Sequence, residues 1–502
     1  MSHLGIDIGS TGTKAIAFDP EGAQLATAYR EYAEVYPGPN LIELPSEDVW
    51  AAVCDVIREV AAATSADPIE TLAISAIGES FTPVSADGEL LYNTITSMDN
   101  RSVAQTEELR ERVGEWETFR ITGMTMHPSF TLTKIMWLKE HRPDIHERTW
   151  KYLLWPDVIM HKLGLEPRLD YTLAGRTMAF DVVGKTWSDA MLDAAGVSPD
   201  LFAEPIQSGE PVGEISATTS RDLGLPEGVL VVAGGHDQQM NALGAGVVEP
   251  GLAVDGMGTV ECVTVAFDRP VMTQAMLESN YCVYPHVKPD MYSSLAFTYS
   301  SGSVLRWFRD QFATAEKAEA EAAGRDPYEL ILADLPADPT GAFLIPYFAG
   351  SGTPYLDPLA KGALLGLSLS CDRKTIVKAI IEGICYELQL NLTTLAEAGV
   401  HIDCLRATGG ASKNADWLQI KADVTGTRVV TLNVSETGCL AGAILGAVAK
   451  GHYASVDEAC AVLVEEREEY LPRDDMRARY GELYAVYKDL WPAVRDAMHR
   501  LS

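Results

Sequence analysis

Two short apolar stretches, His3 to Ile8 and Ala15 to Phe18, flank a polar glycine-rich turn, and this pattern predicts strand, tight turn, strand at the start of the chain. From Ser46 the apolar period becomes helical. Val49, Val53, Val56, Ile57 and Val60 form one face, Glu47 and Asp48 fall in the first turn, and Ser46 is the expected cap. Thr71 to Ile77 reads as a strand that delivers Gly78, Glu79 and Ser80 to its carboxyl end, where loops of α/β folds commonly face a ligand. Val229 to Ala233 predicts a further strand, followed by Gly234-Gly235-His236-Asp237-Gln238-Gln239 and a helix over Met240 to Gly246. Asp237 thus falls at a strand-to-helix junction. Val247 to Gly251, with Pro250, reads as a hinge between domains 1–246 and 247–502.

After the hinge the opening pattern recurs. Asp255 precedes Gly256-Met257-Gly258-Thr259-Val260, and setting Gly12-Thr13 over Gly258-Thr259 brings Phe18-Asp19 over Phe267-Asp268, which predicts two related halves. Further on, Cys404 to Thr408 and Arg428 to Leu432 read as strands, and Asp416 to Asp423 and Glu436 to Lys450 as helices. That alternation predicts a parallel sheet with crossover helices. Gly438, Gly442 and Gly446 recur every fourth residue and are expected to pack closely against a sheet, while the tail from Val462 to Leu501 reads as surface helices.

Length and composition narrow the class. At 502 residues the chain exceeds the roughly 250–300 at which a single core stops growing, so two or more domains are expected. Its 39 basic and 71 acidic side chains give a net charge of −32, which argues against nucleic-acid and anionic-membrane partners. The eight cysteines form no CxxC or His/Cys cluster, so reduced thiols in a cytoplasmic protein are expected and their spacing points away from zinc. No secretion signal is visible, and the longest plainly apolar run, Leu440 to Ala449, is too short to cross a bilayer.

The candidate chemistry lies in the turns and in three carboxylates. In Asp7-Ile8-Gly9-Ser10-Thr11-Gly12-Thr13-Lys14, Gly9 and Gly12 are read as positive-φ residues that let backbone amides approach a ligand. Ser10, Thr11 and Thr13 add hydroxyls and Lys14 a charge. A second turn at Gly258-Thr259 and a third at Gly409-Gly410 suggest a clamp for a polyphosphate with a nucleoside beside it. Phosphoryl transfer needs positioning, charge neutralisation and a group that orients the nucleophile. Asp7 suits Mg²⁺, directly or through water, and Asp237 suits acceptance of a hydroxyl proton, with Gly234-Gly235 leaving room for the acceptor. The competing readings are a helix N-cap for Asp237 and a solvated loop residue for Glu79.

The ordered set of motifs resembles the FGGY family of carbohydrate kinases, within the wider actin, hexokinase and heat-shock ATPase superfamily. The set runs from the turn at 7 to 14 through Asp99 and Arg101, Lys134 with Trp137-Leu138-Lys139, and Gly235-His236-Asp237-Gln238-Gln239. It continues through Gly258-Thr259, Gly302 with Trp307, Thr353-Pro354-Tyr355, Glu382-Gly383, Gly409-Gly410 and Gly442-Ala443. The resemblance implies an α/β fold of two actin-like, ribonuclease H-like domains closing over ATP, Mg²⁺ and a small sugar or polyol. On its pattern Asp237 is the catalytic base and joins Asp7 at the metal. Gly9, Ser10, Thr11, Thr13, Lys14, Gly258 and Thr259 surround the phosphates, and Gly302, Gly410 and Asn414 lie along the nucleotide. Glu79, Gln238 and Asp237 would contact the acceptor, and homodimerisation is expected from family habit.

The sequence departs from glycerol kinases and xylulokinases around the acceptor. Ile77-Gly78-Glu79-Ser80 replaces their motifs after the strand, Ser129 and Ser97 stand where glycerol kinases carry tyrosine and tryptophan, and Ser351-Gly352 replaces a Glu-Arg pair. A roomier pocket is expected. The first expected acceptor is a ketopentose such as xylulose or ribulose, followed by a four- or five-carbon polyol and then a sugar acid. The alternative of another class is a nucleotide-driven switch related to actin or chaperones. Asp99 and Arg101 are left between a structural pair and a ligand contact.

Overall fold

The computed structural model describes residues 1–501. The first hairpin forms as its pattern predicts. Ser2–Ile8 (β1) and Gly12–Phe18 (β2) pair antiparallel with Asp7 opposite Lys14, and β1 is buried along nearly its whole length because it occupies the middle of a sheet. Gln24–Glu31 (β3) continues the meander, and the helix Ser46–Ala63 (α1) packs its valine and isoleucine face on it. Ser46 is not a cap but the first helical residue. Its hydroxyl lies 3.0 Å from the Tyr92 carbonyl and 3.1 Å from Thr94 Oγ1, because the helix start is tied to a neighbouring strand.

Ile69–Ala76 (β4), Pro211–Glu214 (β5) and Leu230–His236 (β6) complete a six-stranded sheet of order β5-β6-β4-β1-β2-β3. The helix Asp237–Gly244 (α2) follows β6 directly. Strand β6 therefore runs through Gly234 and Gly235, which were expected to follow the strand and leave room for the acceptor. A Cβ on Gly234 would overlap the Ile74 carbonyl of the adjacent strand, and one on Gly235 would meet Thr172 and Met240. These glycines serve strand packing rather than space for a ligand.

The second sheet repeats the first. Leu252–Met257 (β7), Glu261–Phe267 (β8), Tyr284–Pro285 (β9), Tyr292–Thr298 (β10), Cys404–Thr408 (β11), Arg428–Leu432 (β12) and Glu466–Tyr470 (β13) are ordered β9-β10-β8-β7-β11-β12-β13. Apart from the short edge strand β9, every neighbour relation has a counterpart. The hairpins β1-β2 and β7-β8 are antiparallel, β1-β4-β6 and β7-β11-β12 are parallel, and β5 and β13 close the sheets as antiparallel edges. Strand β13 corrects the all-helical reading of the tail, which continues as Asp474–Tyr487 and Leu490–His499.

Ala415–Thr425 (α3) is a crossover helix of the second sheet, whereas Thr437–Ala449 (α4) crosses to the first. The fourfold glycine spacing of α4 explains this. A Cβ at Gly442 would meet Gly5 and the Ala73 carbonyl, one at Gly446 would meet Thr71, and one at Gly438 would lie beside Asp7 and Ser75. Gly5 in turn admits no Cβ because the Cys439 carbonyl fills that space. The close packing was legible in the sequence, but the sheet involved belongs to the other half of the chain. All eight cysteines are free.

Candidate active site

The candidate residues lie at the strand ends of both sheets, and Asp7 is near enough to Asp237 for its charge to act there. Asp7 is the penultimate residue of β1 and lies opposite Ser75, whose hydroxyl donates to its Oδ1 at 2.6 Å. The register places Asp255 at the corresponding position of β7, opposite Ala407. The two aspartates have different surroundings. Asp255 is fully buried and pairs with Lys421, which also donates to Glu261 at 2.8 Å, so the second sheet carries a closed ionic cluster. Asp7 has no such partner, and burial raises its carboxyl above the usual range.

Asp237 opens α2, with His236 rather than Asp237 in the N-cap position and no side-chain capping bond. The N-cap reading is thereby replaced by a carboxylate that remains a quarter exposed in the cleft. Its recessed position, then the nearby charge of Asp7, pushes its pKa up to about 7. His236 Nε2 lies 3.1 Å from Asp237 Oδ1, and His236 Nδ1 contacts Gln239 Oε1. Burial and the positive charge of Arg176 hold this imidazole neutral.

Glu79 is buried, only 3 % exposed, which overturns the solvated-loop reading. Its φ of 56° is the left-handed conformation that costs a non-glycine residue about 1 kcal/mol or more. The Thr131 hydroxyl anchors it by donating to its carbonyl at 3.0 Å, and its carboxylate pairs with Arg176. The Arg176 guanidinium lies 4.7 Å from the Tyr284 ring centroid and 5.6 Å from that of Phe130, with Nε buried and without a partner. A Cβ at Gly78 would strike the His236 ring and crowd Arg176 Nε, so glycine is required there. Cys262 on β8 lies within the electrostatic reach of both Asp237 and Arg176, and burial pushes its thiol up to about 12.

Asp99 and Arg101 form a structural pair. Arg101 donates from Nε to Asp99 Oδ1 and from Nη2 to Asp99 Oδ2, each at 2.7 Å, and reaches Glu43 at the same distance, all with buried side chains. Lys134 is also buried and donates to the carbonyls of Thr96 at 2.6 Å and Ser129 at 2.5 Å. It thereby fixes the loops that carry Ser97 and Ser129. Burial lowers its pKa to about 7.

The first glycine turn differs in detail from its sequence reading. Neither Gly9 nor Gly12 has a positive φ. The Tyr29 ring covers the Cβ side of Gly12, and the turn closes through Gly9 N–H to the Gly12 carbonyl at 2.9 Å. Thr13 is buried and its hydroxyl donates to the Asp7 carbonyl at 3.2 Å, so Ser10 and Thr11 are the exposed hydroxyls. Lys14 donates to Glu436 at 2.8 Å, just before α4.

Across the cleft, Gly258, Thr259, Gly302, Gly410 and Asn414 line one cavity of about 500 Å³, together with Arg306, Tyr328 and Lys413. Gly302 N–H donates to the Gly258 carbonyl at 3.1 Å, and a Cβ at Gly302 would lie 2.6 Å from that oxygen. Asn414 caps α3 through its side-chain oxygen, which accepts from Trp417 N–H at 2.8 Å. The sequence reading missed Arg176, Tyr284, Lys421 and the role of His236. Only His236 lay inside a recognised motif; the others depend on contacts between segments distant in sequence.

The N-terminal domain of the FGGY family of carbohydrate kinases matches residues 2–244, and the C-terminal domain of that family matches residues 256–450. The chain is 26 % identical to a xylulose kinase from Bacillus subtilis over 495 residues, covering 98 % of this chain and 97 % of that one. It is 30 % identical to an autoinducer-2 kinase from Yersinia enterocolitica over 503 residues, covering 98 % and 93 %. Among solved structures, ligand-bound xylulose kinase from Lactobacillus acidophilus superposes with a TM-score of 0.90 over 100 % of both chains at 22 % identity, a likeness of fold.

Proposed function

We propose that this chain, which belongs to the FGGY family of carbohydrate kinases, phosphorylates the primary hydroxyl of a neutral, open-chain five-carbon ketose such as xylulose or ribulose. The family assignment makes it a two-domain, actin-like phosphotransferase with a carbohydrate hydroxyl as acceptor and ATP as donor, rather than a nucleotide-driven switch. The finer reading rests on one observation: the ion pair of buried Glu79 with half-buried Arg176, whose charge reaches Asp237.

The pair selects by charge. Arg176 supplies the basic donor for which the sequence alone gave no candidate, with Nε unpartnered and suited to a carbonyl oxygen. Glu79 neutralises it, so a substrate carboxylate at Arg176 would face a second carboxylate in a desolvated recess. A ketone accepts the hydrogen bond without that repulsion, and this favours a ketose over a sugar acid. The remaining Glu79 oxygen and Gln238 suit the hydroxyls, while Ser97 and Ser129 leave room for a chain longer than glycerol.

In this reading Asp237 accepts the hydroxyl proton. With the His236 proton on Nδ1 towards Gln239, Nε2 presents a lone pair to Asp237, and that contact becomes a hydrogen bond once Asp237 has taken the proton. Asp7 and Asp237 are two carboxylates of like charge in one cleft, an oxygen donor set that fits Mg²⁺. Bound there, Mg²⁺ would neutralise charge on the transferred phosphoryl group. Ser10, Thr11, Gly258 and Thr259 supply hydroxyls and amides for the phosphates, and the Gly302–Gly410–Asn414 wall takes the nucleoside.

ADP release measured across xylulose, ribulose, erythritol, glycerol, gluconate and autoinducer-2 tests the proposal. The expected ranking places ketopentoses first. A gluconate kcat/KM above that of both ketopentoses would sink the charge argument, and a preference for autoinducer-2 would move the acceptor to that relative's substrate.

A further inference from the structure

At the end of the first sheet opposite the cleft, His3 on β1, Glu70 on β4 and His452, just beyond α4, converge with one ligand atom from each within 4.8 Å of the others. With about 3.3 Å of rise per strand residue, His3 lies roughly 13 Å from Asp7 along β1, so this cluster is separate from the active site. We propose that these three side chains form a site for a divalent transition metal of the zinc class.

The donor set and its support fit that chemistry. Two imidazoles and a carboxylate leave one position for water or a further ligand, a known zinc arrangement. His3 is 1 % exposed, its Nδ1 is 2.9 Å from Thr71 Oγ1, and its Nε2 is buried without a partner. A neutral ring donating from Nδ1 to Thr71 keeps its lone pair on Nε2, the way an outer hydrogen bond fixes a ligating histidine. Zinc–ligand distances of about 2.0–2.2 Å put tetrahedral ligand atoms roughly 3.3 Å apart. Glu70 Oε2 and His452 Nε2 are already 3.4 Å apart. His452, on the partly exposed turn after α4, has only a short swing towards His3, whose ring centroid is 5.1 Å away. Lys450 and the Met1 ammonium oppose a cation here, and the Glu70 carboxylate is the negative charge of the ligand set. The ligands come from positions 3, 70 and 452, so no sequence spacing reveals them. Metal here would tie the end of α4 to β1 and β4, the strands on which that helix packs.

Titration of the untagged, nucleotide-free chain with Zn²⁺ by calorimetry, and with Co²⁺ by visible absorption, tests the site. One ion per chain and the d–d bands of four-coordinate Co²⁺ are expected, with a melting temperature that rises with free metal. His452→Ala should abolish the bands while leaving Mg²⁺-ATP kinase activity unchanged. Thr71→Val should weaken Zn²⁺ binding by about 10- to 100-fold. Failure of the wild-type chain to bind Zn²⁺ at micromolar concentration, or equal binding by wild type and His452→Ala, overturns the proposal.

Discussion

At the residue scale the proposed chemistry turns on Asp237 and Arg176. A base must be deprotonated to act, and the pKa of about 7 means that acid pH removes the active form. Mg²⁺ beside Asp237 would favour its charged form, so we expect kcat/KM to fall about tenfold per pH unit below an apparent pKa no higher than about 7 and to level off above it, measured as a pH–rate profile. Asp237→Asn should lower kcat by about 10²- to 10⁴-fold, while calorimetric binding of ADP stays within twofold of wild type. Loss of ADP binding in that variant would mean that Asp237 has a structural role instead. Arg176→Lys keeps the charge but loses the planar fork that reaches both Glu79 and a ligand oxygen. Losing one charge-assisted hydrogen bond, about 1.5–3 kcal/mol, raises KM for the ketose roughly 10- to 150-fold and leaves KM for ATP unchanged. Equal changes in the two constants would place Arg176 in the fold rather than in the acceptor pocket.

At the element scale, α4 is held against β1 and β4 by the absence of side chains. Gly5→Ala pushes a methyl into the Cys439 carbonyl and should destabilise the protein by about 1–3 kcal/mol or more. Gly481, in the helix Asp474–Tyr487, has open space at its Cβ position, so Gly481→Ala should stabilise by about 0.4–1 kcal/mol through helix propensity and a less flexible unfolded chain. Urea unfolding of the two variants measures both signs. The ionic cluster between α3 and the β7-β8 hairpin gives a third outcome. Lys421→Met leaves Asp255 and Glu261 as uncompensated buried carboxylates, and a loss of about 3–5 kcal/mol in the same assay is expected. A loss below 1 kcal/mol would show that those carboxylates find protons or water without cost.

At the scale of the whole molecule, the proposed phosphate turn and base belong to one sheet and the proposed nucleoside wall to the other, so in this reading transfer brings the two together. Closure that excludes water also favours the sugar hydroxyl over hydrolysis. Small-angle scattering should show a smaller radius of gyration when ketose and a non-hydrolysable ATP analogue bind together than with either alone; an unchanged radius would remove closure from the mechanism. No helix among the described residues is long and apolar enough to cross a membrane. Much of this plan was legible in the chain. Apolar periodicity marked β1, β2, α1 and β4, and the Asp-then-Gly-Thr pattern disclosed two related halves, because local strand and turn chemistry is written in neighbouring residues. The Glu79–Arg176 pair, the neutralisation of Asp255 by Lys421 and the crossing of α4 to the opposite sheet were decided by tertiary structure alone. Each joins segments distant in sequence, and burial then sets whether a carboxylate stays partly exposed, as Asp237 does, or becomes a buried ion-pair partner, as Asp255 and Glu79 do. The sequence by itself determined that the chain handles a phosphoryl group; the tertiary structure decided that Asp255 is closed off by Lys421 while Asp237 stays a quarter exposed, because those surroundings come from segments distant in sequence.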